Sequence, residues 1–362
     1  MISAIRNLFD AWRGAGAYSV TVPPMDGALS PNQVIEGSPL ALEAKSPDNL
    51  ISDGSSILFS SGNEVRSLRG SSSESVATFD SPVTALAARP GGGFAVGLDD
   101  GRVLLKGGRH DGRTLSKVGG HDIRCPTALS FVDEGTLVLA VGSASNQPSR
   151  WKRDFMQKNA SGSVWRVPVD GEAECLADGL AFPYGLLAQA DGSVIVSESW
   201  RNQLIRVAKG QRPVVELGDI AGYPARLSPA AGGGAWLAVF APRSQLIEFV
   251  LREEDYRQSM MTEVPEHLWI APSISAPLTF LEPLQGGGLK HLGIVKPWAP
   301  TRSYGLVLRL DEAFQPIFSM HSRADGRRHG ITSCLEADGR LLATSKGGDA
   351  IVSLPTDEGF GE

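Results

Sequence analysis

An internal repeat limits what this chain can fold into more than any other feature of its sequence. Six times, a short alternating strand runs through a tight polar turn into a second strand, as in YGLLAQADGSVIVSES from Tyr184 and HGITSCLEADGRLLATS from His329. Pro183 and Pro224, which open consecutive units, are 41 residues apart, and the blades of four-stranded propellers repeat every ~40–45 residues. A two-sheet sandwich would not give every unit the same opening. The repeat therefore predicts an all-β fold, a six-bladed β-propeller.

The repeat also sets the domain boundaries. We assign residues 46–355 to the propeller, residues 1–45 to a short N-terminal helix with an extended lead-in, and residues 356–362 to a tail. The fifth unit is expected to run as strands from Tyr223 to Val250. The predicted helix has an apolar face formed by Ile2, Ile5, Phe9 and Trp12. This face either docks on the body of the protein or serves as a docking site for a partner.

Two insertions interrupt the repeat, and both bear on the ligand site. The first strand of each unit should line the central channel, so the loops that enter it share one face with the loops between second and third strands. Residues 143–160 lengthen such a loop in blade three, and residues 252–303 form a long insertion before the last blade. The second insertion is rich in proline and tryptophan, which favours an ordered cover in which Trp269 and Trp298 are buried.

Composition and charge exclude several classes of function. The net charge of −6 and the isoelectric point near 5.6 argue against binding to nucleic acid or to an anionic membrane surface. The three cysteines have no metal-ligand spacing, which is typical of a reducing compartment. The sequence contains no apolar run of transmembrane length and no signal-peptide core. We therefore expect a cytoplasmic protein without a transmembrane segment.

Several phrases carry a resemblance to a known family. They are SRWKRDF (149–155), SGSVWRV (161–167), DGLAFPYGLLAQADGSVIVSES (178–199), AGYPARL (221–227) and EADGRLLATS (336–345). Together they resemble the strictosidine synthase-like family of six-bladed propellers and, more distantly, the gluconolactonase and regucalcin hydrolases. The resemblance implies a ligand site at the channel mouth, and in metal-dependent members a calcium ion held there by oxygen ligands.

The resemblance also identifies the positions where this chain departs from the metal-binding pattern. The matching positions are Asp48 or Asn49, Thr127, Tyr184, and Ala225 followed by Arg226. Only the blade-one position keeps a strong oxygen ligand, and an arginine would repel a cation. We therefore expect no metal cofactor, with Asp48 and Asn49 the ligands if a site survives. The catalytic glutamate of strictosidine synthase matches Thr332, so that condensation is not expected.

The loops of the mouth carry the candidate site residues. His329, directly before the last inner strand, is the candidate general acid or base, and Glu198 is a candidate carboxylate base or a structural partner of Arg201 or Arg226. The candidate substrate-binding residues are Asp48, Asn49, Arg124, Thr127, Arg150, Trp151, Tyr184, Arg201, Arg226 and Arg328. Tyr184 could equally plug the channel.

Two functions stay open at this point. One is a hydrolase of the lactonase or esterase type that acts on a small polar or anionic molecule. The other is a non-catalytic ligand-binding or interaction propeller whose metal site has decayed. The concentration of arginines predicts a positive mouth that binds a carboxylate or phosphate group. The alternative is that each arginine is neutralised by a neighbouring acid such as Glu198, Asp122 or Asp325.

Overall fold

The computed structural model describes residues 22–277, 282 and 301–359, together with the backbone of residues 290–291 and 294–295. The described residues form six four-stranded antiparallel sheets whose first strands pack side by side in a closed ring. This arrangement confirms the predicted six-bladed β-propeller. The predicted N-terminal helix and Trp298 lie outside the described residues. No helix in the described ranges is long and apolar enough to cross a bilayer.

The strands of each blade are given from the channel outward. Blade one contains Pro47–Ser52, Ile57–Ser61, Glu64–Arg69 and Ser72–Thr78, and blade two contains Val83–Ala88, Phe94–Leu98, Val103–Lys106 and Thr114–Leu115. Blade three contains Pro126–Asp133, Thr136–Val141, Gly162–Pro168 and Glu174–Leu180, and blade four contains Pro183–Ala188, Val194–Glu198, Gln203–Val207 and Val214–Leu217. Blade five contains Gly222–Pro229, Ala235–Pro242, Leu306–Leu310 and Pro316–His321, and blade six contains Ile331–Ala337, Arg340–Ser345, Ala350–Leu354 and Leu40–Glu43.

Blade six joins the two ends of the propeller. Its three inner strands come from the end of the chain, whereas its outer strand, Leu40–Glu43, comes from the predicted lead-in. Leu42 pairs with Ile351 in this sheet. A short helix, α1 (Val34–Gly37), precedes the outer strand and packs beside blade five. The lead-in therefore closes the ring, a role that its short sequence did not reveal.

Local sequence explains the turns and the packing between blades. Asp338 and Gly339 connect the first two strands of blade six with φ angles of 53° and 72°, the positive values that a tight two-residue hairpin requires. The second strand of blade three, Thr136–Val141, is apolar and almost wholly buried because sheets on both sides cover it. Among the described residues, two small hairpins lie outside the blades: Lys117–Val118 with His121–Asp122, and Lys290–His291 with Ile294–Val295.

Both insertions connect the second and third strands of a blade. The blade-three insertion carries helix α2 (Trp151–Met156). The blade-five insertion, residues 243–305, lies inside that blade and not before the last blade, and it begins earlier than the predicted 252–303. It carries helices α3 (Gln245–Arg252) and α4 (Glu254–Glu263). The expectation that the fifth unit continues as a strand to Val250 is therefore wrong. Ser244 caps α3 by accepting a hydrogen bond from the backbone N–H of Ile247, which favours a helix there.

Candidate functional site

A pocket of about 230 Å³ opens at the mouth of the channel. Its walls come from the loops that enter the inner strands and from the loops between second and third strands, as the sequence predicts. The blade-five insertion contributes Ile274 to the rim. Trp269 of the same insertion is 1% exposed, which confirms its predicted burial. The insertion therefore covers part of the mouth.

One side of the pocket is aromatic and comes from blades three, four and five. Its rings belong to Trp151, Phe182, Tyr184, Trp200 and Phe240. Phe182 and Trp200 are stacked, with ring centroids 4.4 Å apart, and Trp151 meets Phe240 edge to face at 5.6 Å. These contacts bury the backs of the rings and leave a wall suited to a flat apolar group.

A buried carboxylate orients one of these rings. Asp154 of α2 is fully buried, and its Oδ1 accepts a hydrogen bond from the indole Nε1 of Trp200 at 3.0 Å. Its Oδ2 accepts two more, from the side-chain amides of Asn146 and Asn159, each at 2.8 Å. The blade-three insertion therefore holds the Trp200 ring against the pocket.

The other side of the pocket is polar and comes mainly from blades six, one and two. At its base, Asp48 Oδ2 lies 2.9 Å from Nζ of Lys346, and Asp48 Oδ1 lies 2.8 Å from Nη1 of Arg226. The Arg226 guanidinium also donates to the backbone carbonyls of Thr84 and Thr127 and lies 4.7 Å from the centre of the Tyr184 ring. One carboxylate and two cations thus meet on the channel axis.

The charges of this cluster stabilise one another. Burial alone would raise the pKa of Asp48, but the cations of Arg226 and Lys346 outweigh it and hold that pKa below its ordinary value of 3.8. Burial alone would lower the pKa of Lys346, but the carboxylate of Asp48 raises it above its ordinary 10.5. The pKa of Arg226 is raised for the same reason. All three groups are therefore charged at neutral pH.

These residues do not fit a divalent cation. Both oxygens of Asp48 already bind cationic side chains, and the hydroxyl of Thr127 donates to the carbonyls of Pro183 and Ala140. Ala225 offers no side-chain ligand. No group of three His, Cys, Asp or Glu side chains within the described ranges could hold a metal ion. The space beside Asp48 is next to two fixed positive charges, which disfavour a cation.

His329 does not line the pocket. Its ring is fully buried, with Nδ1 2.8 Å from Ser303 Oγ and Nε2 2.7 Å from the carbonyl oxygen of Arg323. Burial lowers the pKa of the ring below its ordinary 6.5. Both nitrogens are thus engaged in holding the loop before blade six, which leaves neither free for a substrate.

Glu198 is also buried away from the pocket. Its carboxylate accepts hydrogen bonds from the backbone N–H of Ala181 at 2.7 Å and from the side chain of Gln203 at 2.6 Å, and it pairs with Arg201. These contacts match the structural alternative, pairing with Arg201, and tie the end of a strand to the loop that enters blade four.

The arginines of this face are mostly paired with acids and do not line the pocket. Arg150 Nη2 lies 3.2 Å from Glu266 Oε2, and Arg323 forms two hydrogen bonds with Asp325 at 2.9 and 3.0 Å. Arg124 is exposed and lies outside the pocket lining. The backbone N–H of Arg328 donates a hydrogen bond to the carboxylate of Glu36. The pocket therefore carries two acids, Asp48 and Asp99, beside its cations, and is not strongly positive.

Asn49 lies on the far side of the base. It lines a second cavity of about 460 Å³, the central channel, together with Arg226. Its side-chain nitrogen donates to Ser60 Oγ at 2.9 Å. The structure thus brings Asp48, Thr127, Trp151 and Tyr184 together in the pocket. Arg226, which pairs with Asp48, and Asn49 line the channel behind it.

Sequence reasoning missed several pocket residues. Asp99 accepts hydrogen bonds from Ser149 through the backbone N–H at 2.7 Å and through Oγ at 2.8 Å, and its carboxylate is partly exposed to the pocket. Phe182, Trp200 and Phe240 were also missed. Their positions in the repeat were the available signal: Phe182 directly precedes a first strand, Trp200 lies just after a second strand, and Phe240 lies near the end of another.

Sequence comparison finds no family model and no curated protein that matches the chain. Solved structures do match. A gluconolactonase of Xanthomonas campestris superposes with a TM-score of 0.56 over 88% of both chains at 14% identity. A structural-genomics structure provisionally classed as a gluconolactonase superposes with a TM-score of 0.50 over 90% of this chain and 91% of the other, at 12% identity. At these identities the likeness shows a gluconolactonase-like propeller fold, and the strictosidine synthase-like family is not confirmed.

Proposed function

We propose that the protein is a hydrolase of the lactonase or esterase type, and that Lys346 supplies the positive charge at the substrate carbonyl without a metal ion. The observation that carries the proposal is the position of Lys346 at the base of a pocket of small-molecule size, fixed there by Asp48 at 2.9 Å. The gluconolactonase-like neighbours support this reaction class. An anionic substrate stays a sequence-based prediction, and the pairing of the arginines argues against it.

Three groups divide the reaction between them. The oxygen of a water molecule attacks the carbonyl carbon, and Asp99, a carboxylate in the pocket wall, takes a proton from that water. Negative charge then develops on the carbonyl oxygen, where the ammonium of Lys346 stabilises it. When the carbon–oxygen bond breaks, Asp99 returns the proton to the leaving alkoxide. The products are a carboxylic acid and an alcohol, or one hydroxy acid from a lactone.

Lys346 suits this role better than Asp48 or Arg226. Its side chain is 29% exposed and lines the pocket, whereas those of Asp48 and Arg226 are 3% and 11% exposed. The raised pKa keeps it protonated at neutral pH. Asp48 is a poor base because its pKa is lowered, so it positions the ammonium. The base of the pocket then carries the fixed positive charge of Lys346 at the position where the families that the sequence resembles hold calcium.

A panel of lactones and aliphatic and aryl esters, assayed with and without a chelator, tests the proposal. We expect hydrolysis of at least one substrate, unchanged by the chelator. Lys346→Met should lower kcat by about 10²-fold or more, as does loss of a charge-stabilising donor elsewhere. The matched control is Lys117→Met, an exposed lysine outside the pocket. If the wild-type protein hydrolyses none of these substrates, the proposed enzymatic activity is refuted. If the chelator abolishes hydrolysis, the metal-free mechanism is refuted.

A second candidate, a ligand-binding propeller without catalysis, is favoured by one observation. His329 and Glu198, the predicted catalytic pair, are both buried and fully engaged in hydrogen bonds. Asp99 is then the general base on which the enzyme depends. Asp99→Asn separates the candidates: it should abolish turnover in the enzyme, whereas a binding protein shows saturable binding and no turnover before or after the substitution.

We also propose a reducing compartment, and the cytoplasm in particular. Cys125, Cys175 and Cys334 are all unpaired, and two of them are buried. Free thiols persist where the cell keeps cysteines reduced. Fractionation of cells that express a tagged chain tests this, and recovery in an oxidising compartment would contradict it.

A further inference from the structure

We infer that the pocket selects neutral esters or lactones that carry an aromatic ring, and that it discriminates against polyhydroxylated lactones. The choice of an ester or lactone as the reacting group rests on the proposed function. The preference for an aromatic ring rests only on the residues that form the pocket walls. The pocket has two different sides. Five aromatic rings come from blades three to five, and the charged groups come from blades six, one and two.

The aromatic side offers stacking surface and little else. Trp151 and Trp200 each meet Phe240 edge to face, with ring centroids 5.6 Å and 6.3 Å from that of Phe240. The indole N–H of Trp200 is already bound to Asp154. A flat ring placed against this wall gains contact area and aromatic interactions without losing a hydrogen bond.

Three hydroxyl groups of the pocket, those of Thr84, Thr127 and Ser149, are already used as donors. Thr84 Oγ1 donates to the carbonyl of Pro126 at 2.7 Å, Thr127 Oγ1 to that of Pro183 at 2.5 Å, and Ser149 Oγ to Asp99 at 2.8 Å. A sugar lactone has several hydroxyls, and those that face the aromatic side would be buried against ring carbons without partners. Each such loss weakens binding by roughly tenfold.

Size limits the part of the ligand that the pocket can enclose. A cavity of ~150 Å³ holds one benzene molecule, so the pocket of about 230 Å³ holds one ring with a small lactone or ester group. The ring would lie on the aromatic side and the carbonyl beside Lys346. Asp99 and Lys346 both line this pocket, as the proposed hydrolysis requires.

Three neutral lactones test the inference by calorimetry with the full chain. They are phthalide, its saturated analogue hexahydrophthalide, and glucono-δ-lactone. We expect phthalide to bind most tightly, the saturated analogue about fivefold more weakly, and the sugar lactone at least about 100-fold more weakly. Equal or tighter binding of the sugar lactone, or binding of none of the three, would overturn the inference.

Variants locate the effect on the aromatic wall. Trp151→Leu keeps an apolar side chain but removes the ring, and should weaken the binding of phthalide about fivefold more than that of the saturated analogue. The control is Trp165→Phe, since Trp165 lies outside the pocket lining and binds Ser163. Phthalide binding without hydrolysis would leave this selectivity standing and count against the proposed function. Hydrolysis of the sugar lactone alone would support the proposed function and contradict the selectivity for aromatic rings.

Discussion

Lys346 and Asp48 form an ion pair across the seam where the last blade of the propeller meets the first, with Nζ and Oδ2 2.9 Å apart. The second oxygen of Asp48 binds Arg226 of blade five at 2.8 Å. A single carboxylate therefore links three blades at the channel axis, in addition to the strand Leu40–Glu43 that closes the ring at its rim. Stability and the proposed chemistry both depend on this cluster.

Asp48→Asn should lower the free energy of unfolding by about 3 kcal/mol or more. The substitution leaves Arg226 and Lys346 close together without a carboxylate, and an uncompensated buried charge is costly. Urea denaturation measures the change. Asp122→Asn is the control, since Asp122 pairs with Lys117 at 3.5 Å on the surface and should change stability by less than about 0.5 kcal/mol. Equal effects of the two substitutions would contradict the role of Asp48.

Acid should destabilise the protein between about pH 6.5 and pH 4, in part through His321. Burial lowers the pKa of this ring from 6.5 to about 4, and its nitrogens contact Tyr304 and Ser319. In that window the unfolded chain binds a proton that the folded protein does not, so stability falls as pH falls, by up to roughly 3 kcal/mol for this group. His329, whose pKa is also lowered by burial, adds to the same loss.

The slope of stability against pH is the readout for this prediction. His321→Gln removes one titrating group, so its unfolding free energy should fall less steeply than that of the wild type from pH 6.5 to 4. The control is His267→Gln, since His267 is exposed. Parallel curves for the His321 variant and the wild type would show that this ring does not couple folding to protons.

The sequence predicted the fold because the fold is a local repeat. Each blade carries its own strands and turns, and the Asp338–Gly339 turn can be recognised from two adjacent residues. Leu40–Glu43 was not placed because its partner strand, Ala350–Leu354, is more than 300 residues away in the chain. Nothing local marks a strand that pairs at such a distance.

The site was only partly predictable because its chemistry depends on distant partners. Arg226 was expected to repel a cation, and the structure places it beside Asp48. His329 was expected at the pocket, but Ser303, contributed by the segment that precedes the third strand of blade five, engages its ring. Asp99 occurs in a DDG turn that reads as solvated, and only its contact with Ser149 of the blade-three insertion places it in the pocket wall.

Asp154→Ala should both destabilise the protein and loosen the pocket. It removes the acceptor for the indole N–H of Trp200 and for the amides of Asn146 and Asn159. The amides of Asn146 and Asn159 keep Gln157, Ser143 and Ser145 as acceptors, whereas the Trp200 N–H keeps none. A donor left buried without an acceptor costs about 1–3 kcal/mol, and we expect a loss of that size. Asp154→Asn, which keeps one acceptor oxygen, should lose less. Urea denaturation and the near-ultraviolet circular dichroism of tryptophan measure both effects, and an unchanged spectrum for the alanine variant would refute the orienting role.

Gly347→Ala should displace the cover from the pocket. A Cβ at Gly347 would lie 2.0 Å from the carbonyl oxygen of Ile274, so the two segments cannot keep their present distance, and Ile274 lines the rim. We expect the unfolding free energy to fall by about 1–3 kcal/mol and the Kd for a pocket ligand such as phthalide to rise several-fold. Gly37→Ala is the matched control, because a Cβ there meets no atom within 4 Å. If Gly347→Ala binds phthalide as tightly as the control does, the segment at Ile274 does not shape the pocket.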